Sequence, residues 1–422
     1  MKVGLEFNLS DVHVDAQQEN SQRQVAISVF ALPENTSNSA ARAVPLNICL
    51  VLDHSGSMRG EAMDTVKQAA KELIQRLQPG DRIAIVGFDH EATVIVPNQT
   101  IDNLDWIEQQ LSQLTAAGGT NIDAGIKAGI EELAKGKKDT ISQLLLLTDG
   151  ENEHGSNDRC LKLAELATSY TMTINSLGFG DRWNQDVLEQ IADAGGGALS
   201  HIATPNQAST EFEKLFNRVE TIMLTNAHIS LRMVNGTTLA ALKPVAQVSP
   251  ETIELPVITE GETAMVRLGD IMVDTPRVIL ANLYLPQLAA GKHPITEIQV
   301  CYDNPATGEM GLLSEVSTLE TEVQTTYEPA PNPEVQTRIL ALAKYRQTQI
   351  AEKKIAAGDH QGAVTMLQTA ANTALQMGDQ NAATVLQGSA TQLQSGAALS
   401  EEMKKRTRMA AKTMIQPSEP TS

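Results

Sequence analysis

The chain has 422 residues, 41% of them hydrophobic, which is enough apolar material for ordinary cores and predicts roughly two to three domains. Its formal net charge of -19 argues against sequence-independent nucleic-acid binding and against an anionic membrane surface, because both need clustered Lys and Arg. Purely apolar runs are short, as at 144–147, which excludes a spanning helix of about 20 residues, and the start of the chain lacks the pattern of a secretory leader. Cys49, Cys160 and Cys301 lie far apart, without metal-knuckle or redox-pair spacing, and together these features predict a cytoplasmic protein.

Val3, Leu5, Phe7 and Leu9 alternate with polar residues, and Val25, Ile27, Val29 and Ala31 repeat the pattern after a polar stretch at 15–23. Period two predicts strands with one buried face over 1–42, and two such strands are marginal in water without partners. From about 43 to 225, apolar strand candidates at 46–52, 83–88, 144–147 and 174–177 alternate with helical patterns. The clearest helix, 61–77, places Met63, Val66, Ala70, Leu73, Ile74 and Leu77 on one face and is stopped by Pro79-Gly80. Such alternation predicts a mostly parallel sheet covered on both faces, with ligands at the C-terminal strand ends. Gly195-Gly196-Gly197 reads as the turn before a last strand at 198–202, and 207–225 as the block's last helix.

After 226 period two returns in Ile229, Leu231 and Met233, in Ile279, Ala281, Leu283 and Leu285, and in Ile298, Val300 and Tyr302. Turn signals at Asn235-Gly236 and Asp303-Asn304-Pro305 separate these runs. The expectation is one antiparallel β-sandwich made of 1–42 and 226–328, with the α/β block 43–225 inserted in it; two independent small sheets would give the same pattern. A proline-rich stretch predicts a linker at 329–333, followed by a helical hairpin or small bundle at 334–422, with a frayed end beyond Ile415. Within that module Gly358-Asp-His-Gln-Gly-Ala363 and Gly378-Asp-Gln-Asn-Ala-Ala383 read as turns between antiparallel helices.

Three polar sets fall at strand ends of the α/β block: Asp53-His54-Ser55-Gly56-Ser57, Gly118-Gly119-Thr120-Asn121 and Thr148-Asp149-Gly150. One such set alone could merely cap the next helix. In combination they offer hard carboxylate and hydroxyl oxygens, which suit octahedral Mg²⁺ better than a transition metal. Asp-x-Ser-x-Ser, Gly-Gly-Thr and Thr-Asp-Gly, in that order, resemble the metal-ion-dependent adhesion site of von Willebrand factor type A domains. The phrase Gly80-Asp-Arg-Ile-Ala-Ile-Val-Gly-Phe88 also resembles that family's second strand.

The resemblance implies a doubly wound α/β fold in which Ser55, Ser57 and Thr120 supply hydroxyl oxygens to a divalent cation, while Asp53 and Asp149 act directly or through water. Mg²⁺ is the expected ion, with Mn²⁺ or Ca²⁺ as substitutes. With only two carboxylates facing it, such an ion keeps a preference for an anionic oxygen, and the family implies that an Asp or Glu of a protein partner completes its shell. The loop 151–156 would rim the site and select the partner. His54 and His154 are outside the ligand positions, and Asp89 is expected to make a strand-end hydrogen bond.

The predicted function is therefore metal-dependent protein binding without catalysis, in an organisation similar to intracellular bacterial proteins of this family, some of which work beside AAA+ ATPases. A haloacid-dehalogenase-like phosphatase would carry a second Asp where Ser55 stands, and neither a Gly-x-Ser-x-Gly elbow nor a phosphate loop is present. A scaffold is the other alternative, with a structural metal and the helical module as the working part. Ile339, Leu340, Leu342, Ala343 and Tyr345 would then dock a partner helix, unless they form the module's own core.

Overall fold

The computed structural model describes residues 2–32, 44–180, 183–273 and 275–412. The boundary expected at 42 and 43 and the frayed end expected beyond Ile415 lie outside the described residues. Three strands open the chain, β1 (Lys2–Leu9), β2 (His13–Asp15) and β3 (Asn20–Leu32). In β3 the alternating Val25, Ile27, Val29 and Ala31 are all buried, as period two requires.

The α/β block contains strands β4 (Leu46–Asp53), β5 (Arg82–Phe88), β6 (Ala92–Thr100), β7 (Ile141–Thr148), β8 (Met172–Phe179) and β9 (Gly196–Ile202). Its helices are α1 (Glu61–Gln75), α2 (Leu104–Ser112), α3 (Ile122–Lys135), α4 (Asn157–Ser169), α5 (Gln185–Ala194) and α6 (Pro205–Glu220). The sheet order is β6-β5-β4-β7-β8-β9, parallel except for β6. Every residue of β4 and β7 is buried, because α1 and α6 cover one face of the sheet and α3, α4 and α5 the other.

Several local expectations differ from the structure. β6 is an antiparallel edge strand, half-exposed and interrupted by Pro97, so it lacks the apolar run that marks its neighbours. Gly196 and Gly197 belong to β9 rather than to a preceding turn, and a Cβ on Gly197 would lie 2.1 Å from the Ile174 carbonyl oxygen. The last helix, α6, stops at Glu220, where Thr221 caps it, and the next strand begins immediately. In that strand Ile222 and Leu224 are buried and Met223 is not, which is strand rather than helix periodicity.

The strands that follow are β10 (Ile222–Met233), β11 (Thr238–Leu239), β12 (Val245–Ser249), β13 (Ile253–Glu254) and β14 (Val257–Glu260). Then come β15 (Thr263–Met272), β16 (Arg277–Pro286), β17 (Gly291–Asn304), β18 (Glu309–Leu313) and β19 (Ser317–Gln324). They pair with the N-terminal strands in two sheets, β1-β3-β16-β12-β13 and β14-β15-β10-β17-β19-β2, with β11 on β16 and β18 on β17. One apolar cluster draws on both sheets, including Ile27, Ile229, Ile279 and Ile298. Pairing is antiparallel except at β2, which runs parallel to β19 through Val14 and Val323. Buried polar contacts join this part to the α/β sheet: Asp270 accepts from Gln143 Nε2 and Thr173 Oγ1, each at 2.8 Å.

The proline-rich stretch is pinned rather than loose. Asp11 accepts the Tyr327 hydroxyl at 2.7 Å and the Ala330 N–H at 3.2 Å, and Asn332 N–H donates to Ser10 at 3.0 Å. Helices α7 (Pro333–Ala356), α8 (His360–Gln376), α9 (Gln380–Gln394) and α10 (Glu401–Lys412) are the last elements among the described residues. The two repeated Gly-Asp phrases are helix junctions: Gly358 and Gly378 have φ of +76° and +78°, and Asp359 and Asp379 cap the next helices by accepting from Gly362 and Ala382, each at 2.9 Å. Ile339 and Leu342 of α7 pack on Val248, Val278 and Leu280 of the β1-containing sheet.

Candidate metal-binding site

β4 and β7 lie side by side at the centre of the parallel sheet, with Leu52 opposite Leu147, so the polar residues that follow them emerge together. Asp53, the last residue of β4, is fully buried. One carboxylate oxygen accepts the Ser55 N–H at 2.8 Å, and the other accepts the Thr148 hydroxyl. A single 3₁₀ turn, Gly56–Met58, then carries the exposed Ser57 over the strand ends. Ser57 Oγ donates to Asp149 Oδ1 at 2.7 Å. Because that uses the only hydroxyl proton of Ser57, Ser55 is the donor in the 3.1 Å contact between Ser55 Oγ and Ser57 Oγ.

Thr120 arrives from the loop before α3. A Cβ on Gly150 would lie 3.3 Å from Thr120 Oγ1 and 4.0 Å from Ser57 Oγ, so both hydroxyls face that glycine. The five residues expected at the site are thus brought together, with Asp53, Ser55, Thr120 and Asp149 buried. Burial pushes the Asp53 carboxyl up to about 6; hydrogen bonds from Thr148 and Ser55 oppose that rise, and the negative charge of Asp149 adds to it. A cation beside two such carboxylates would relieve the cost of ionising Asp53, and the oxygen-only donor set fits a hard divalent ion. Among the described residues no group of three or more His, Cys, Asp or Glu is placed to hold a metal, so an ion here depends on the hydroxyls.

The surrounding loops are tied to one another. Gly56 N–H donates to Gly118 O at 3.0 Å, Ala117 N–H to His54 O at 2.8 Å, and His154 N–H to Thr120 O at 3.0 Å. Gly118 has φ +75°, and a Cβ there would come within 2.7 Å of Asp89 Oδ2. Asp89 itself accepts the Glu91 N–H at 3.0 Å, the strand-end bond anticipated for it. The His54 ring turns to Gly87, and its Nδ1 is buried without a hydrogen-bond partner. The 151–156 loop is fixed by Asn152, which accepts the Ile122 N–H at 2.9 Å, and by Asp123, which accepts the Ser156 N–H at 2.9 Å and pairs with Arg159 at 3.1 Å.

His90, Asn152 and Asp123 escaped the sequence reading. His90 and Asn152 stand in turns with no periodicity to place them, and an acid such as Asp123 is ordinary in a helix's first turn.

Residues 47–218 match the family model of the von Willebrand factor type A domain, and residues 333–417 match that of the Sll0103-like, C-terminal alpha-helical domain. Uncharacterized protein sll0103 of Synechocystis sp. is 53% identical over 417 residues, covering 99% of this chain and 98% of that protein. This chain belongs to the sll0103 family of von Willebrand factor type A domain proteins. Inter-alpha-trypsin inhibitor heavy chain H1 of Mesocricetus auratus is 29% identical over 212 residues, but the chain spans only 22% of that protein's length. Among solved structures, the von Willebrand factor type A protein from Catenulispora acidiphila superposes with a TM-score of 0.80 at 18% identity, covering 98% of this chain and 97% of that one. That likeness shows a shared fold over 98% of this chain. A von Willebrand factor type A domain marks a protein-interaction module in general, and no helix among the described residues is long and apolar enough to cross a membrane.

Proposed function

We propose that the chain is a metal-dependent protein-binding module in which Asp53, Ser55, Ser57, Thr120 and Asp149 hold a divalent cation, Mg²⁺ in the cell, and an Asp or Glu of the partner completes the contact. The observation that carries this reading is the run of oxygens from Ser55 through Ser57 to Asp149, beside buried Asp53, at the ends of two adjacent parallel strands. When bound, the cation supplies a Lewis-acidic centre that favours an anionic oxygen. Asp53 and Asp149 provide the negative charge; the hydroxyls of Ser55, Ser57 and Thr120 add neutral lone pairs and leave room for one more anion. The tethered 151–156 loop rims the site and offers the partner a fixed surface.

The serines favour binding over catalysis. Ser57 donates to Asp149 and Ser55 to Ser57, an arrangement of prospective ligands and not of a nucleophile facing a histidine base. We read the two sheets as one β-sandwich frame into which the α/β domain is inserted, which their shared apolar cluster supports. The scaffold alternative is less favoured, because Ile339 and Leu342 are already engaged on the sheet, and Arg408 and Lys412 pair with Glu189 of α5. Three free thiols, Cys49, Cys160 and Cys301, support a reducing, cytoplasmic setting.

Affinity capture from native lysate tests the reading, with an AAA+ ATPase as the first partner class to look for. Wild type in Mg²⁺ should retain partners that are lost in chelator and in Asp53→Ala and Thr120→Ala proteins. Retention of the same proteins under all four conditions would contradict it.

A further inference from the structure

Gly119 stands one residue before Thr120, and its peptide is flanked by two imidazoles. Its N–H donates to His90 Nε2 at 3.1 Å. A Cβ on Gly119 would fall 2.5 Å from the His154 ring and 2.8 Å from that of His90, and the two rings stand edge to face with centroids 4.4 Å apart. The Thr120 carbonyl accepts the backbone N–H of His154 at 3.0 Å, so the His154 side chain contributes through its ring packing alone, and Asn121 Nδ2 donates to the His90 carbonyl at 3.2 Å. Two successive glycines are the most permissive backbone available. Here that backbone is clasped between the β5–β6 turn and the loop that follows β7. Because His90 Nε2 accepts this hydrogen bond, the neutral ring that makes it carries its proton on Nδ1.

We infer that His90 and His154 are positioning residues that hold the Gly119–Thr120 peptide, and through it the Thr120 hydroxyl, in place before a cation binds. The inference rests on the site reading above and extends it to residues that donate no ligand atom. Without the clasp, the glycine pair would sample many conformations, and an ion would have to order the loop as it bound, which lowers affinity.

The test uses the full chain and Mn²⁺ alone as the probe, for wild type, His90→Ala, His90→Gln and His154→Ala. His90→Ala should raise the Mn²⁺ dissociation constant about 3- to 10-fold, the net worth of one backbone hydrogen bond. His90→Gln, whose Oε1 can accept the same N–H, should stay within about twofold of wild type. A second readout needs no metal: in chelator-treated protein, amide exchange over 115–122 should be faster in His90→Ala and His154→Ala than in wild type and His90→Gln. An Mn²⁺ affinity unchanged in His90→Ala, or lowered equally in His90→Gln, overturns the clasp and leaves the cation site standing. A wild type that binds no Mn²⁺ removes the site reading and the inference with it.

Discussion

The two Gly-Asp junctions of the helical module carry the same motif in different surroundings, and Asp379→Ala separates the consequences. Asp379 caps α9 through Oδ1, and its Oδ2 accepts from Lys344 Nζ at 3.0 Å. Lys344 is fully buried and also donates to the Ala410 carbonyl at 2.9 Å. Loss of the cap costs about 1 kcal/mol. Removing the carboxylate partner of a buried ammonium costs about 3–5 kcal/mol, and the contacts that Lys344 keeps, among them that to the Ala410 carbonyl, put the case at the lower end, for a total of about 4 kcal/mol. Hydrogen exchange within 380–394 should therefore accelerate on the order of a thousandfold. Asp359→Ala removes an equivalent cap and an exposed pair with Lys354, so its effect on 360–376 should be far smaller. Adding Lys344→Met to Asp379→Ala should recover much of the protection, because an apolar stem replaces the buried charge that has lost its carboxylate. Similar acceleration in the two Asp variants, or no recovery in the double variant, would refute the reasoning.

Asp270→Ala should destabilise the protein by about 3 kcal/mol in urea unfolding, because it leaves Gln143 Nε2 and Thr173 Oγ1 buried without their acceptor; a loss below about 1 kcal/mol would mean those donors find new partners. Arg408→Ala removes contacts to Asp186, Glu189 and Glu352 and should speed exchange in α10 without altering Mn²⁺ affinity, and a changed affinity would show that the helical module is coupled to the site. Burial pushes Asp193 up to about 6, against the opposing attraction of Lys412. Its folded pKa therefore exceeds the unfolded one, so its ionisation opposes folding at pH 7 and that opposition fades as pH falls through about 6. Asp193→Asn should flatten the stability profile between about pH 7 and 5, which an unchanged slope would disprove.

Much of this architecture is legible in the sequence because it depends on local periodicity. The alternation of Ile229, Leu231 and Met233 marks one buried face, and the apolar run ending at Thr148 marks a central strand. The three polar sets are legible at the strand ends, but the choice of Asp53, Ser55, Ser57, Thr120 and Asp149 within them rests on their resemblance to the adhesion-site motif of von Willebrand factor type A domains. Periodicity names a face but not a neighbour, so the parallel pairing of β2 with β19 had no signal. Nor did the contact between Arg408 and Asp186, which are 222 residues apart. His90 was invisible because its role rests on one ring nitrogen meeting the backbone of a loop 29 residues away.

The central claim is that Asp53, Ser55, Ser57, Thr120 and Asp149 hold a divalent cation. Calorimetric titration of chelator-treated full-length protein with Mg²⁺ and Mn²⁺, wild type beside Asp53→Ala, tests it most directly. The account predicts saturable binding of one ion per chain that is lost in the variant. Binding that persists in Asp53→Ala with the same stoichiometry and affinity, or no saturable binding in the wild type, would contradict it.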